Sequence, residues 1–242
     1  MISRVLSPLA ALMLAGAAMT RGNDPDPPGP APYFTAAALD PRSVLPNPPA
    51  DNSDATEKEI EYLLQAQATR TQGQVDRAQA EAHYTLGLFL NTPGDWFLET
   101  GNPARAATLP LLQRADATAA AIAQNAQALW NRRRPFLVNS RIYPSMVRPT
   151  GPGYPSEHAV RAAVEALVLA QLAPENSQAI LACGNQIGDD RVLAGVEFPS
   201  DVNAGRLLGR AIVDQLMNDA SFRDGLKQAR DLVKAQIKKE QL

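Results

Sequence analysis

Three stretches of this chain bring together residue types that handle an oxyanion. Tyr154-Pro155-Ser156-Glu157-His158 follows a loop, Arg141 to Gly153, that is rich in Pro, Gly and Arg. Pro155-Ser156 has the pattern of a helix start with Ser156 near the N-cap. Such a start leaves backbone N–H groups unpaired and points the positive end of the helix dipole at whatever binds there, which suits phosphate. Arg132-Arg133-Arg134-Pro135 stands upstream. Downstream, Asp189-Asp190-Arg191 leads to a second Pro-Ser helix start, Phe198-Pro199-Ser200-Asp201. Basic groups, a helix N-terminus, one His and an Asp are the parts of a site that holds an anion and moves a proton.

Helices must position these groups. After Asp54 the apolar residues recur at three- and four-residue steps: Ile60, Leu63 and Leu64, then an Ala-rich run from Ala119 to Trp130, then Val160, Val164, Leu167 and Leu172, then Leu208, Ile212 and Leu216. Phe222, Leu226, Ala229, Leu232, Val233 and Ile237 repeat the pattern near the end. No alternating Val/Ile/Tyr runs are separated by Asn-Gly or Asp-Gly turns, and there is no repeat of fixed period. Breaks fall at Asn91-Thr92-Pro93-Gly94, Gly101-Asn102-Pro103, Tyr143 to Tyr154 and Ala173-Pro174. The expectation is one all-α domain over residues 51–242.

Composition removes several classes of function. The 242 residues carry 23 basic and 25 acidic groups, a net charge of -2, so no global field draws the chain to nucleic acid or anionic lipid. One cysteine, Cys183, makes neither an internal disulfide nor a zinc or iron–sulfur site. Only two histidines, His83 and His158, are present, which limits any mechanism that needs several imidazoles.

The N-terminal stretch has the marks of a leader. Arg4 precedes an apolar run from Val5 to Met19, closed by small residues including Ala15-Gly16-Ala17. The run is shorter than the ~20 residues of a bilayer span, so residues 1–22 are expected to be a signal peptide rather than a stable membrane anchor. Secretion, to the periplasm where an outer membrane exists, follows as an expectation. Residues 23–50 form a Pro-rich arm, with nine of the 20 prolines between Pro25 and Pro49. Tyr33-Phe34 and Val44-Leu45-Pro46 are apolar enough to dock its second part on the domain.

Taken together, these residues resemble the type 2 phosphatidic acid phosphatase and vanadium haloperoxidase superfamily, and in particular the secreted bacterial class A nonspecific acid phosphatases. That family carries Lys, six residues, Arg-Pro; then Pro-Ser-Gly-His; then Ser-Arg, five residues, His, three residues, Asp. Here Arg134-Pro135 ends the first motif, with Gln127 at the Lys position. Pro155-Ser156-Glu157-His158 is the second, with Glu157 for Gly. Asp190-Arg191 through Asp201 is the third, with Asp190 for Ser and Glu197 for the second His. The likeness extends over about residues 43 to 240. It implies a helical bundle of this superfamily's type, no metal and no cofactor, and a small phosphorylated substrate or phosphate as partner.

The resemblance also implies roles. The family's third-motif His attacks phosphorus, its second-motif His protonates the leaving alcohol, and its Asp orients the attacker. Carried over, His158 is the general acid, Asp201 the orienting group, and Glu197 stands in the attacker's place. Arg134, Arg191 and Ser156 bind phosphate, with Gln127 and Glu157 at altered positions of that cradle. A carboxylate ~4 Å from a phosphate oxygen repels it by ~4 kcal/mol at an effective dielectric near 20, roughly a thousandfold in affinity. Arg161, four residues after Glu157, is placed to draw that carboxylate aside. Glu197 itself is open to neutralisation, by burial and by Asp201 nearby.

Glu197 leaves three outcomes open: lost or weakened turnover, a carboxylate acting as nucleophile or base, or a cation held by Glu157, His158 and Glu197. A silent ligand-binding protein is the competing function; a haloperoxidase lacks the nitrogen ligand it needs. His83 is expected to be a satisfied structural histidine, Arg132 and Arg133 to be solvated, Trp96 and Trp130 to be core, and Cys183 to be a buried inert thiol. A homo-oligomer is compatible with all of this.

Overall fold

A computed structural model describes residues 30–89 and 101–240. The leader, the break at residues 91–94 and Trp96 lie outside the described residues. Those described contain eight α-helices and no strand: α1 (Asp54–Thr69), α2 (Gln72–Ala80), α3 (Arg105–Trp130), the short α4 (Pro135–Val138), α5 (Glu157–Leu172), α6 (Ser177–Leu193), α7 (Pro199–Leu216) and α8 (Ala220–Glu240). No described helix is long and apolar enough to cross a membrane.

The centre is α5, which packs against α3, α6, α7 and α8. It starts where Ser156 Oγ accepts the Ala159 N–H at 3.0 Å, with Glu157 in its first turn on the favourable side of the dipole. Its buried positions include Ala159, Val160, Ala162, Val164, Ala166 and Leu169. The alanines leave room for close approach, and α7 uses it. A Cβ added at Gly205 would lie 2.7 Å from the Ser156 carbonyl oxygen, and one at Gly209 would lie 2.8 Å from that of Val160. Backbone-to-backbone contact brings the two Pro-Ser helix starts side by side, and the Ser156 N–H donates to the Asp201 carbonyl at 2.9 Å.

The long Ala-rich α3 buries Leu111, Leu112, Ala115, Ala119, Ile122, Ala123 and Ala126, the face that its periodicity predicts. It ends at Asn131, whose φ of 47° is left-handed and whose N–H closes on the Gln127 carbonyl at 2.8 Å. That reversal throws Arg132, Arg133 and Arg134 back across the bundle. The C-terminal α8 lays Phe222, Leu226, Ala229 and Val233 on the core, while Leu232 faces outward.

The second part of the arm docks, as its apolar residues suggest. Tyr33 donates its N–H to Thr118 Oγ1 at 2.9 Å and packs edge-on to Phe222, with the Arg114 guanidinium 3.9 Å from its ring centre. Further on, Asn47 Oδ1 accepts from Trp130 Nε1, and the Pro46 carbonyl accepts from the Tyr154 hydroxyl at 2.5 Å. Trp130 is half-buried against the core.

Candidate active site

The turn at Asn131 distributes three consecutive arginines. Arg134 is buried at the start of α4. Its Nε donates to the Gly151 carbonyl at 2.7 Å, Nη2 to Pro152 at 2.9 Å, and Nη1 to Val196 at 3.0 Å and to Glu197 Oε1 at 3.2 Å. It therefore ties the Pro/Gly loop to the segment before α7. Arg133 stays half-exposed and pairs with Asp51 at 2.7 Å.

Arg132 overturns the expectation of a solvated side chain: it is only 4% exposed. Nη1 donates to Asp201 Oδ1 and Ser200 Oγ, both at 2.6 Å, Nη2 reaches Glu59 Oε2 at 3.1 Å, and the guanidinium lies 4.2 Å from the Phe198 ring centre. Burying it is possible because two carboxylates and an aromatic face replace its water. Glu59, on α1, also accepts the Ser200 N–H at 2.6 Å.

Arg191 sits near the C-terminal end of α6, 3% exposed. Its Nε lies 3.5 Å from Glu197 Oε1, and its Nη1 donates to Met146 Sδ at 3.1 Å. The neighbouring Asp190 turns the other way, taking a two-point bond from Arg77 of α2 at 2.5 and 2.8 Å. Glu197 is thus held by both motif arginines through one oxygen, while its buried Oε2 has no hydrogen-bond partner. Asp201 lies one turn further on. Its Oδ2 accepts the Phe198 N–H at 2.8 Å and its Oδ1 takes Arg132, so it caps α7 instead of orienting Glu197.

The two carboxyls are pushed apart electrostatically. Burial raises the Glu197 pKa, but Arg191 and Arg134, with help from His158 and Ser156, pull it below the usual carboxylate value. Of the two protonation states that the sequence leaves open, the arginines favour the charged one. Asp201 takes the opposite course: burial outweighs Arg132 and the Phe198 N–H and pushes it up to about 7.

His158, on the first turn of α5, is driven down to about 4 by burial and by the positive charge of Arg191, against the opposing pull of Glu197. Its Nε2 lies 3.1 Å from the Glu81 carbonyl oxygen. A carbonyl only accepts, so Nε2 carries the proton and Nδ1 keeps its lone pair. The ring packs edge-on to Tyr84. A neutral imidazole held in this way must take a proton before it can give one.

The remaining candidates stand to the side. Gln127 donates its amide to the Pro155 carbonyl at 3.0 Å, bracing the helix start rather than offering that donor to an anion. Glu157 is drawn off by Arg161 at 3.3 Å, as its spacing suggests, and Arg161 makes a two-point bond to Asp116. Among the described residues no group of three His, Cys, Asp or Glu is arranged to hold a metal ion, so the cation alternative loses its ligand set. His83, expected to be a satisfied structural histidine, is exposed on the surface beside Gln79, Ser145 and Met146. Cys183 is half-buried, its thiol 3.7 Å from the Leu88 carbonyl oxygen. Glu59, Arg77 and Glu81 went unmarked in the sequence, since each meets its partner from a distant helix or turn with no local motif.

Arg134, Ser156, His158, Arg191 and Glu197 thus gather near the start of the central helix α5, inside an all-helical bundle. Residues 115–221 match the family model of the PAP2 superfamily. The chain is similar to an acid phosphatase of Zymomonas mobilis, 34% identical over 42% of this chain and 40% of that one. Non-specific acid phosphatases of Providencia stuartii (37% identical, 32% of each chain) and Salmonella typhi (33% identical, 44% of each chain) are also similar. The matches therefore span less than half the length of these relatives. The fold resembles the crystal structure of a transmembrane PAP2 type phosphatidylglycerolphosphate phosphatase from Bacillus subtilis, with a TM-score of 0.52 at 18% identity over 69% of this chain and 87% of that one.

Proposed function

We propose that this chain hydrolyses phosphomonoesters as an acid-phosphatase-like enzyme with weakened turnover. The observation that carries the proposal is the convergence of Arg134 and Arg191 on Glu197, the position where the family resemblance places the attacking histidine. A phosphoryl group seated against Arg191 and the α5 N-terminus meets a charged carboxylate in place of imidazole. Glu197 then either attacks phosphorus, giving an acyl phosphate as the alcohol leaves, or takes a proton from an attacking water. In either case His158 must be protonated first, which favours acid pH. The apolar leader supports export as the setting of this activity.

A second reading, a silent phosphate-binding protein, is favoured by the same salt bridges, because Glu197 already occupies donors that an anion needs. Hydrolysis of p-nitrophenyl phosphate between about pH 4 and pH 8 separates the two. Slow native turnover, greatest in acid and reduced at least about tenfold in His158→Ala, supports the enzyme. No native turnover beside an active Glu197→His leaves the binder. A phosphoenzyme stable to base and labile to acid identifies a phosphorus–nitrogen bond and rules out the carboxylate as attacker.

A further inference from the structure

The charge of the site and its one open acceptor restrict the form of anion it takes, an inference that rests on the phosphate-site reading above. Arg134 and Arg191 supply two positive charges, and Glu197 between them removes one. The surrounding arginines add no surplus: Arg132 is matched by Asp201 and Glu59, Arg77 by Asp190, Arg161 by Asp116 and Glu157, and Arg206 by Asp189. With His158, Glu81 and Asp201 all on the neutral side at mildly acid pH, Arg132 is still matched by Glu59, and the pair of arginines on Glu197 balances a single negative charge.

Glu197 adds a directional requirement. Both arginines approach Oε1, and Oε2 is buried with no hydrogen-bond partner. The Ser156 hydroxyl, which accepts from the Ala159 N–H and keeps its own proton to give, is near enough to favour the charged carboxylate, but its placement does not complete a hydrogen bond to Oε2. A charged carboxylate oxygen only accepts, so its partner must bring a proton. Arg191 keeps its Nη2 group without a bond among the described residues, a donor for the anion's other oxygens.

We propose that the site takes a singly charged oxyacid that still bears an O–H, a phosphomonoester monoanion or dihydrogen phosphate, whose hydroxyl donates to Glu197 Oε2 while Arg191 holds another oxygen. Sulfate has the same shape and no proton to give, so it is rejected. A phosphate monoester loses its second proton near pH 6, which places the preferred form on the acid side.

The test is calorimetric titration of the full chain at about pH 5 with inorganic phosphate, with phenylphosphonate as a non-hydrolysable stand-in for a monoester, and with sulfate. Phosphate or phenylphosphonate binds at least about tenfold tighter than sulfate, and the tighter of the two names the source. In Glu197→Gln the preference over sulfate falls to within about threefold, since an amide can donate as well as accept. Native binding of sulfate within about threefold of phosphate overturns the proton requirement and leaves the phosphate site standing. No binding by the native chain beside binding by Glu197→Gln shows the carboxylate to be a plug and overturns this inference alone. No binding by either chain overturns both.

Discussion

Glu197 and Asp201 lie one helical turn apart at the start of α7, both inaccessible to water, and their carboxyls are held in opposite protonation regimes. Two arginines keep Glu197 charged, whereas Asp201 has its pKa pushed up to about 7 with Arg132 as its one cationic partner. Neighbouring acids with separated pKa values are how one site assigns a charged and a proton-bearing role. Here the charged role falls on Glu197.

Glu197→His should restore the attacker. Turnover of p-nitrophenyl phosphate is expected to rise at least about tenfold over the native chain. An unchanged rate in a variant whose circular dichroism matches the native spectrum would show that Gln127 and Glu157 disable the site independently.

Arg132→Met removes the cation that lies between Asp201 and Glu59. Without Arg132 the raised Asp201 pKa of about 7 climbs further, so stability should fall in denaturant titration by about 3–5 kcal/mol at alkaline pH, where Asp201 is charged and unpaired, and by less in acid. Adding Asp201→Asn should recover part of the alkaline loss, because the uncompensated charge is gone. An alkaline loss below about 1 kcal/mol would mean that the pair is as weak as an exposed one.

Gly205→Ala forces a Cβ against the Ser156 carbonyl, a backbone atom that cannot swing aside. The expected cost is about 1–3 kcal/mol, with turnover falling because Ser156 and His158 share that helix start. Gly73, in the first turn of α2, has nothing within 4 Å of an added Cβ, so Gly73→Ala should be neutral or stabilising by up to about 1 kcal/mol. Equal melting temperatures for the two variants would contradict the close approach of α7 to α5.

Burial, with Asp190 beside it, raises Glu81 from 4.5 to about 7. Between those values the folded chain holds a proton that the unfolded chain has released, so this group makes stability fall as pH rises through the window. Glu81→Gln should flatten that slope, by at most about 1 kcal/mol once solvent screening is allowed for. His158 acts oppositely: lowered from 6.5 to about 4, it costs stability as pH falls through that interval. A melting curve series in which Glu81→Gln leaves the neutral-pH slope unchanged would remove Glu81 from this account.

Much of the architecture was legible because it is local. The stripes on α3, α5, α7 and α8 are read from residues three and four apart, and Ser156 declares its cap through Pro155 and the helix that follows. Arg134, His158 and Arg191 were legible through motif spacing. Arg132 was not, because its fate depends on Glu59, 73 positions away, and on a carboxylate one turn into another helix. Arg77 and Asp190 are separated by 113 positions, and Glu81 acts on His158 through a backbone carbonyl, which no side-chain pattern announces. The charge of Glu197 was undecided in the sequence for a related reason: burial raises its pKa, and only the three-dimensional approach of two arginines reverses that.

The left-handed residue Asn131 makes three adjacent like charges diverge. Arg132 runs to α1 and α7, Arg133 to Asp51 at the foot of the arm, and Arg134 to the Pro/Gly loop and Glu197. A tripeptide that would be a repulsive basic patch on a straight helix becomes a junction box, wiring four separate segments to one backbone kink. Loosening that single dihedral would unplug all three anchors together, so the packing of α1 on α7 and the tether of Glu197 share one point of failure outside both.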